Sequence, residues 1–155
     1  LIGFRLPGFT GTKKRKAISR AKHYLFDLGV TRHLARGGQI LEGSKAFGDA
    51  FEHFIILETR AYCSYRRNRA NLSYWRSTSQ FEVDLLVNDA VAIEIKASAQ
   101  PTGKHLKGLR ALMEENLLEK YYVVCTGESI RKTEDGIQIL PWKVYLEKLW
   151  NDELL

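Results

Sequence analysis

The chain is short of cysteine and has no long apolar run, and each shortage removes a class of protein. Cys63 and Cys125 are the two cysteines in 155 residues. Both lie in apolar surroundings without Cys-x-x-Cys spacing, so they are expected as reduced, buried thiols of a cytoplasmic protein rather than as a disulfide. No stretch approaches the ~18 apolar residues of a membrane helix, and the first residues carry no signal-peptide pattern. There is no internal repeat, no low-complexity tract and no GxxxxGK[ST] loop to cradle a phosphate. His23, His33, His53 and His105 fall at no metal-ligand spacing and are expected at the surface or in packing. Cys63 and Ser64 have no candidate base, which sets nucleophilic catalysis aside. The chain opens on Leu1 rather than Met, as a fragment or a trimmed chain would.

What is present is ordinary in amount but uneven in placement. The apolar fraction of 45% and charged fraction of 27% suit one globular domain with a sizeable core. The net charge of +6 is concentrated at the start. Residues 1–36 hold nine Lys/Arg against Asp27 alone, while the other 119 residues hold fifteen basic and seventeen acidic groups. Lys13, Lys14, Arg15 and Lys16 form the densest run, and Arg66, Arg67, Arg69 and Arg76 form a second patch. Such asymmetry suits a polyanion such as nucleic acid. A solvated tail, or a junction to another domain, fits the KKRK run equally well.

Residues 1–43 therefore read as a basic N-terminal extension: a loose or partly helical lead-in, a short strand in KHYLFDLGV (22–30), and a short helix over 31–35 ending at Gly37–Gly38. From 44 to about 62 apolar residues recur at three- and four-residue steps (Phe47, Ala50, Phe51, Phe54, Ile55, Tyr62), with Ser44 as N-cap. Strands are expected at 72–76, 81–87 and 91–97, a helix at 104–120, a strand buried on both faces at 121–126, a strand at 137–140 and a helix at 142–150. From Ser44 the order is αβββαβ, then βα, which is an α/β domain over 44–155.

The strands FEVDLLV (81–87) and VAIEIKA (91–97) carry charges where a buried strand has none. Side chains alternate along a strand. The odd positions Phe81, Val83, Leu85, Val87, Val91, Ile93, Ile95 and Ala97 are all apolar, so one buried face requires odd beside odd. Only a three-residue loop, Asn88–Ala90, achieves that, pairing 87 with 91 and hence 84 with 94. Asp84 then faces Glu94 at about 5 Å between Cβ atoms, with Lys96 two residues along. Two facing carboxylates repel unless one is protonated or a cation joins them. With Mg²⁺ or Mn²⁺ they form an oxygen-ligand site, and the lysine supplies the positive charge that phosphodiester hydrolysis requires. Alone, the Glu-x-Lys pair describes a salt-bridged amphipathic hairpin better than a site. Adding Asp84 in a forced register brings the two readings level.

Asp84, Glu94 and Lys96, set after a helix and inside a three-stranded meander, resemble the PD-(D/E)XK nuclease superfamily, whose core order is αβββαβ. The ordered pieces KHYLFDLGV (22–30), GDAFEHFIILE (48–58), YWRS (74–77), FEVDLLV (81–87), IEIKAS (93–98) and HLKGLRAL (105–112) resemble one branch of it, the C-terminal nuclease-like domain of archaeal and bacterial AAA-type ATPases. The resemblance implies a restriction-endonuclease-like fold, with a mixed sheet flanked by helices. It implies Asp84 and Glu94 as ligands of Mg²⁺ or Mn²⁺, Lys96 as the catalytic lysine, and Glu52 as the first-helix acid and third metal ligand, with Glu58 a second candidate. It also implies DNA as substrate, contacted by Lys13, Lys14, Arg15, Lys16 and Arg76, and an ATPase domain elsewhere in the full-length chain. The superfamily's proline before the aspartate is absent; Val83 stands there.

Overall fold

The computed structural model describes residues 2–67 and 70–155; Arg69 lies outside the described residues. Two strands, β1 (Gly3–Leu6) and β2 (Lys22–Leu25), precede two helices, α1 (Leu28–Leu34) and α2 (Lys45–Tyr65). Then come β3 (Leu72–Arg76), β4 (Glu82–Val87), β5 (Val91–Lys96), a 3-10 turn (Gly103–Leu106), α3 (Lys107–Met113), β6 (Lys120–Cys125), β7 (Arg131–Lys132), β8 (Gln138–Pro141) and α4 (Trp142–Trp150). Strands β3 to β8 form one mixed sheet in the order β3-β4-β5-β6-β8-β7. It is antiparallel from β3 to β5, parallel through β6 and β8, and antiparallel again at β7. The protein is thus an α/β domain whose sheet is flanked by helices, as the αβββαβ pattern predicts. Among the described residues no helix is long and apolar enough to cross a membrane.

The helices divide the sheet's faces. On one, Phe51, Ile55 and Ile56 of α2 and Tyr145 and Leu149 of α4 pack on Leu85, Val87, Val91, Ile93 and Ile95. Each such aliphatic or aromatic side chain contributes about 1.5–3 kcal/mol through burial. On the other, Leu109 and Leu112 of α3 pack on Val83, Leu86, Ala92 and Val123. Strand β6 sends Tyr122 and Val124 to the first cluster and Val123 and Cys125 to the second. That is the two-sided burial its apolar run predicts. Cys63 and Cys125 are both free and buried. Helix α2 begins where Ser44 caps it, its hydroxyl accepting from Phe47 N–H at 3.1 Å.

Three expectations are corrected. Residues 1–21 are not a loose or helical lead-in. β1 pairs antiparallel with β2, and Leu6 is in the core, 1% exposed. Pro7 and Phe9 bond Tyr74 on the outer edge of β3, and Lys16 and Ile18 bond Thr78 and Arg76. The arm thereby covers an edge that would otherwise expose unpaired peptide groups. Helix α1 starts at Leu28 rather than Thr31, because Asp27 caps it by accepting from Val30 N–H at 2.8 Å. The helix expected over 104–120 is a 3-10 turn followed by only seven α-helical residues. It stops before Asn116, which holds a left-handed φ of 54°, and Leu117 beyond it is 39% exposed.

Candidate functional site

The hairpin of β4 and β5 has the expected register: Leu85 faces Ile93, Leu86 faces Ala92 and Val87 faces Val91. The three-residue turn places Asn88 and Asp89 at φ of 54° and 51°, a conformation these two side chains tolerate. The ladder stops there, and just beyond its last pair Asp84 and Glu94 come together around Lys96. On its other side β4 is irregular. Ser73 faces Leu86 but Trp75 faces Val83, so Asp84 and Leu85 together stand opposite Tyr74. This bulge overturns the single odd-numbered face: Phe81 and Val83 pack under α3, whereas Leu85 and Val87 pack under α2. A bulge re-aims the residue it carries. Here that residue is Asp84, whose Oδ2 accepts from Ile95 N–H at 2.8 Å.

Lys96 joins the two carboxylates. Its Nζ lies 2.6 Å from Glu94 Oε1 and 3.5 Å from Asp84 Oδ2. Both acids are 5% exposed, and Glu94 Oε2 is buried with no hydrogen-bond partner. Burial and the nearby Glu52 charge push the Asp84 carboxyl up to about 6, against the pull of Lys96, Lys22 and Ile95 N–H. Burial and Asp84 push Glu94 well above the ordinary glutamate value, opposed by Lys96. Burial disfavours the Lys96 charge, but Asp84 and Glu94 outweigh it and hold the ammonium above the usual lysine value.

Lys22 and Tyr24, to which the sequence pattern gives no role, complete the cluster together with Glu82. Lys22 Nζ lies 2.6 Å from Glu82 Oε1 and 3.2 Å from Glu52 Oε1, 5.0 Å from the centroid of the Tyr74 ring. Tyr24 donates its hydroxyl to the same Glu52 oxygen at 2.7 Å; burial and Glu52 raise its pKa, so the phenol keeps its proton. The signal was present in KHYL, where Lys22 and Tyr24 alternate onto one face of a strand. Their partner lies thirty residues away, beyond any local pattern. The cluster thus holds four carboxylates (Glu52, Glu82, Asp84, Glu94) against two ammonium groups. Arg76 stands at its margin, 3.7 Å from Glu82 Oε2. A cavity of about 370 Å³ between α1 and α2 shares Tyr24 and Glu52 with it.

The other candidates separate. Glu58 lines a different hollow, with Phe26 and Arg60. Trp75, beside Arg76 on β3, is fully buried and belongs to the core. His53 is buried, its Nε2 2.8 Å from Leu25 O. In the KKRK run, the backbone N–H groups of Lys13, Lys14 and Arg15 all donate to Glu115 at 2.8–2.9 Å. The Arg15 guanidinium binds Glu114 at 2.6 Å and Ala111 O at 2.9 Å, and the Lys14 ammonium donates to Glu114 O. Lys13 and Lys16 remain exposed.

Among the described residues no three His, Cys, Asp or Glu side chains come together as a metal-binding group. Asp84 and Glu94 make a two-carboxylate pair, while Glu52 is engaged by Lys22 and Tyr24. A pair of hard oxygen ligands suits Mg²⁺, which keeps several waters and takes one or two carboxylates plus a substrate phosphate.

Fold and cluster together define an α/β domain with a buried acid–lysine site at a bulged hairpin. Residues 47–145 match the family described as Domain of unknown function (DUF4143), and the chain belongs to that family. No curated protein and no solved structure matches the chain.

Proposed function

We propose that this domain is a divalent-metal-dependent nuclease of the PD-(D/E)XK kind, with a restriction-endonuclease-like fold. It hydrolyses phosphodiester bonds of DNA in the cytoplasm, as the C-terminal part of a longer chain bearing an ATPase domain. The observation that carries this reading is the orphaned Glu94 Oε2, buried beside Asp84. A buried carboxylate oxygen without a partner costs about 1–3 kcal/mol or more, and a bound cation relieves that cost. Asp84 and Glu94 would hold Mg²⁺ or Mn²⁺, which would supply Lewis acidity and lower the pKa of a water. Lys96 orients the attacking water and balances charge on the phosphate. A phosphodiester cannot approach four carboxylates unaided, so the reaction depends on the metal. Lys13, Lys16 and Arg76 contact flanking phosphates, an interaction that weakens with salt; Lys14 and Arg15 chiefly order the arm.

One observation favours a second reading, a catalytically silent module that binds nucleic acid or a partner and regulates the tethered ATPase. Lys96 already bonds both carboxylates and Glu52 is engaged elsewhere, so the site neutralises itself in part. The test is cleavage of supercoiled plasmid and single-stranded oligonucleotides with Mg²⁺ or Mn²⁺, repeated with Lys96→Ala. Metal-dependent cleavage lost in the variant is expected. A folded protein that binds DNA and cuts none of these substrates with either metal would establish the silent module instead.

A further inference from the structure

The ammonium of Lys22 is placed where a cation would be expected. It is bonded to Glu82 at 2.6 Å and Glu52 at 3.2 Å, stands over the Tyr74 ring, and is drawn by the Asp84 charge as well. It arrives on a two-stranded ribbon outside the main sheet, at the end of a flexible four-carbon stem. Glu52, the acid expected to complete a metal site, is bonded by Lys22 and Tyr24 at a single oxygen, Oε1.

We propose that Lys22 is a resident cation: it occupies the acid cluster in the metal-free protein and leaves it when a divalent ion binds, freeing Glu52 to turn toward Asp84 and Glu94. The inference rests on the reading of Asp84 and Glu94 as a metal seat. It accounts for an acid-rich site in which no three acids converge. Before a divalent ion arrives, Lys22 screens carboxylates that would otherwise repel one another. The cluster must release the lysine before it can take the metal, so apparent affinity falls by the fraction of molecules in which Lys22 has left. The Tyr24 hydroxyl acts in the same direction as Lys22, and more weakly, because it withholds Glu52 without a charge of its own.

The test is calorimetric titration with Mn²⁺ alone, no nucleic acid present, on the wild-type chain and on Lys22→Gln, Lys22→Met, Tyr24→Phe and Glu94→Gln, with melting temperatures measured in EDTA. Lys22→Gln is expected to melt lower than wild type in EDTA and to bind Mn²⁺ about tenfold tighter, corresponding to a site that is open about a tenth of the time in wild type. Tyr24→Phe, which keeps its packing on Phe4 and His53, is expected to tighten binding about two- to threefold. Lys22→Met, which keeps the apolar stem without the charge, carries the same expectation as Lys22→Gln and decides the matter should Lys22→Gln not fold. Glu94-dependent Mn²⁺ binding that is unchanged or weaker in the folded Lys22→Gln or Lys22→Met protein overturns the role of Lys22 and leaves the metal seat standing. No Mn²⁺ binding in wild type or in either Lys22 variant overturns the metal seat, and the Lys22 proposal with it.

Discussion

Two glutamates of this protein are almost equally hidden and have opposite surroundings. Glu115 is 8% exposed and Glu94 is 5% exposed. Three backbone N–H groups from Lys13, Lys14 and Arg15 converge on Glu115. Burial acts to raise its pKa, but these donors and the Arg15 charge prevail and hold it below the usual value. Glu94 receives Lys96 on one oxygen and nothing on the other, and its pKa is raised. Burial by itself therefore does not mark a site. A buried carboxylate whose hydrogen-bonding capacity is filled is a structural fastener, here clamping the basic arm to the end of α3. One left half-filled beside a second acid holds unrelieved cost, which a cation or a proton can remove.

The contrast is tested most strongly at Lys96. Lys96→Ala leaves two buried carboxylates without their ammonium. It should cost about 3 kcal/mol of metal-free stability, read by denaturant melts in EDTA, and Mg²⁺ should restore much of it. Glu94→Gln should do the reverse. Cleavage should fall by at least about a hundredfold, while metal-free stability rises because a repelling charge is gone. Next in size, Glu115→Ala strips an acceptor from three N–H donors and should cost about 2 kcal/mol. It should open residues 10–20 to limited proteolysis, and Mn²⁺ binding should hardly change. Equal effects of the Glu94 and Glu115 changes on Mn²⁺ binding would erase the distinction.

Gly108→Ala tests how the site is mounted. A Cβ there would lie 1.9 Å from the Glu82 carbonyl oxygen, so α3 would have to move off the start of β4. A loss of about 1–3 kcal/mol is expected, with weakened Mn²⁺ binding.

The smallest effect is the pH dependence. Asp84 titrates near 6 in the fold against an ordinary 3.8, and Glu94 is also raised. The folded protein therefore binds more protons than the unfolded chain between these values. The stabilisation from holding those protons is complete below about pH 4 and is lost as pH rises through 6. Calorimetry in EDTA should find a higher melting temperature at pH 5.5 than at 7.5. Glu94→Gln should remove most of the difference, and saturating Mg²⁺ should reverse it by competing with the protons.

Much of this was readable in advance because it depends on neighbours in the chain. Ser44 caps α2 through a residue three positions on, and the Asn88–Ala90 turn sets the hairpin register that brings Asp84 to Glu94 and Lys96. The bulge at Asp84–Leu85 was not readable, since strict odd-position alternation through Phe81 and Val83 argued against it. Nor was the seating of the KKRK run, because its partners Glu114 and Glu115 lie about a hundred residues away.

By itself, then, the sequence determined the α/β element order, the hairpin register and the trio of Asp84, Glu94 and Lys96. Period-2 alternation and turn length act over a few residues and leave little choice. The tertiary structure decided that Lys22 and Tyr24 complete the cluster, that Glu52 is tied to them, and that the basic arm forms part of the fold. Those outcomes depend on which distant surfaces meet, and on how buried charges find partners once they have met.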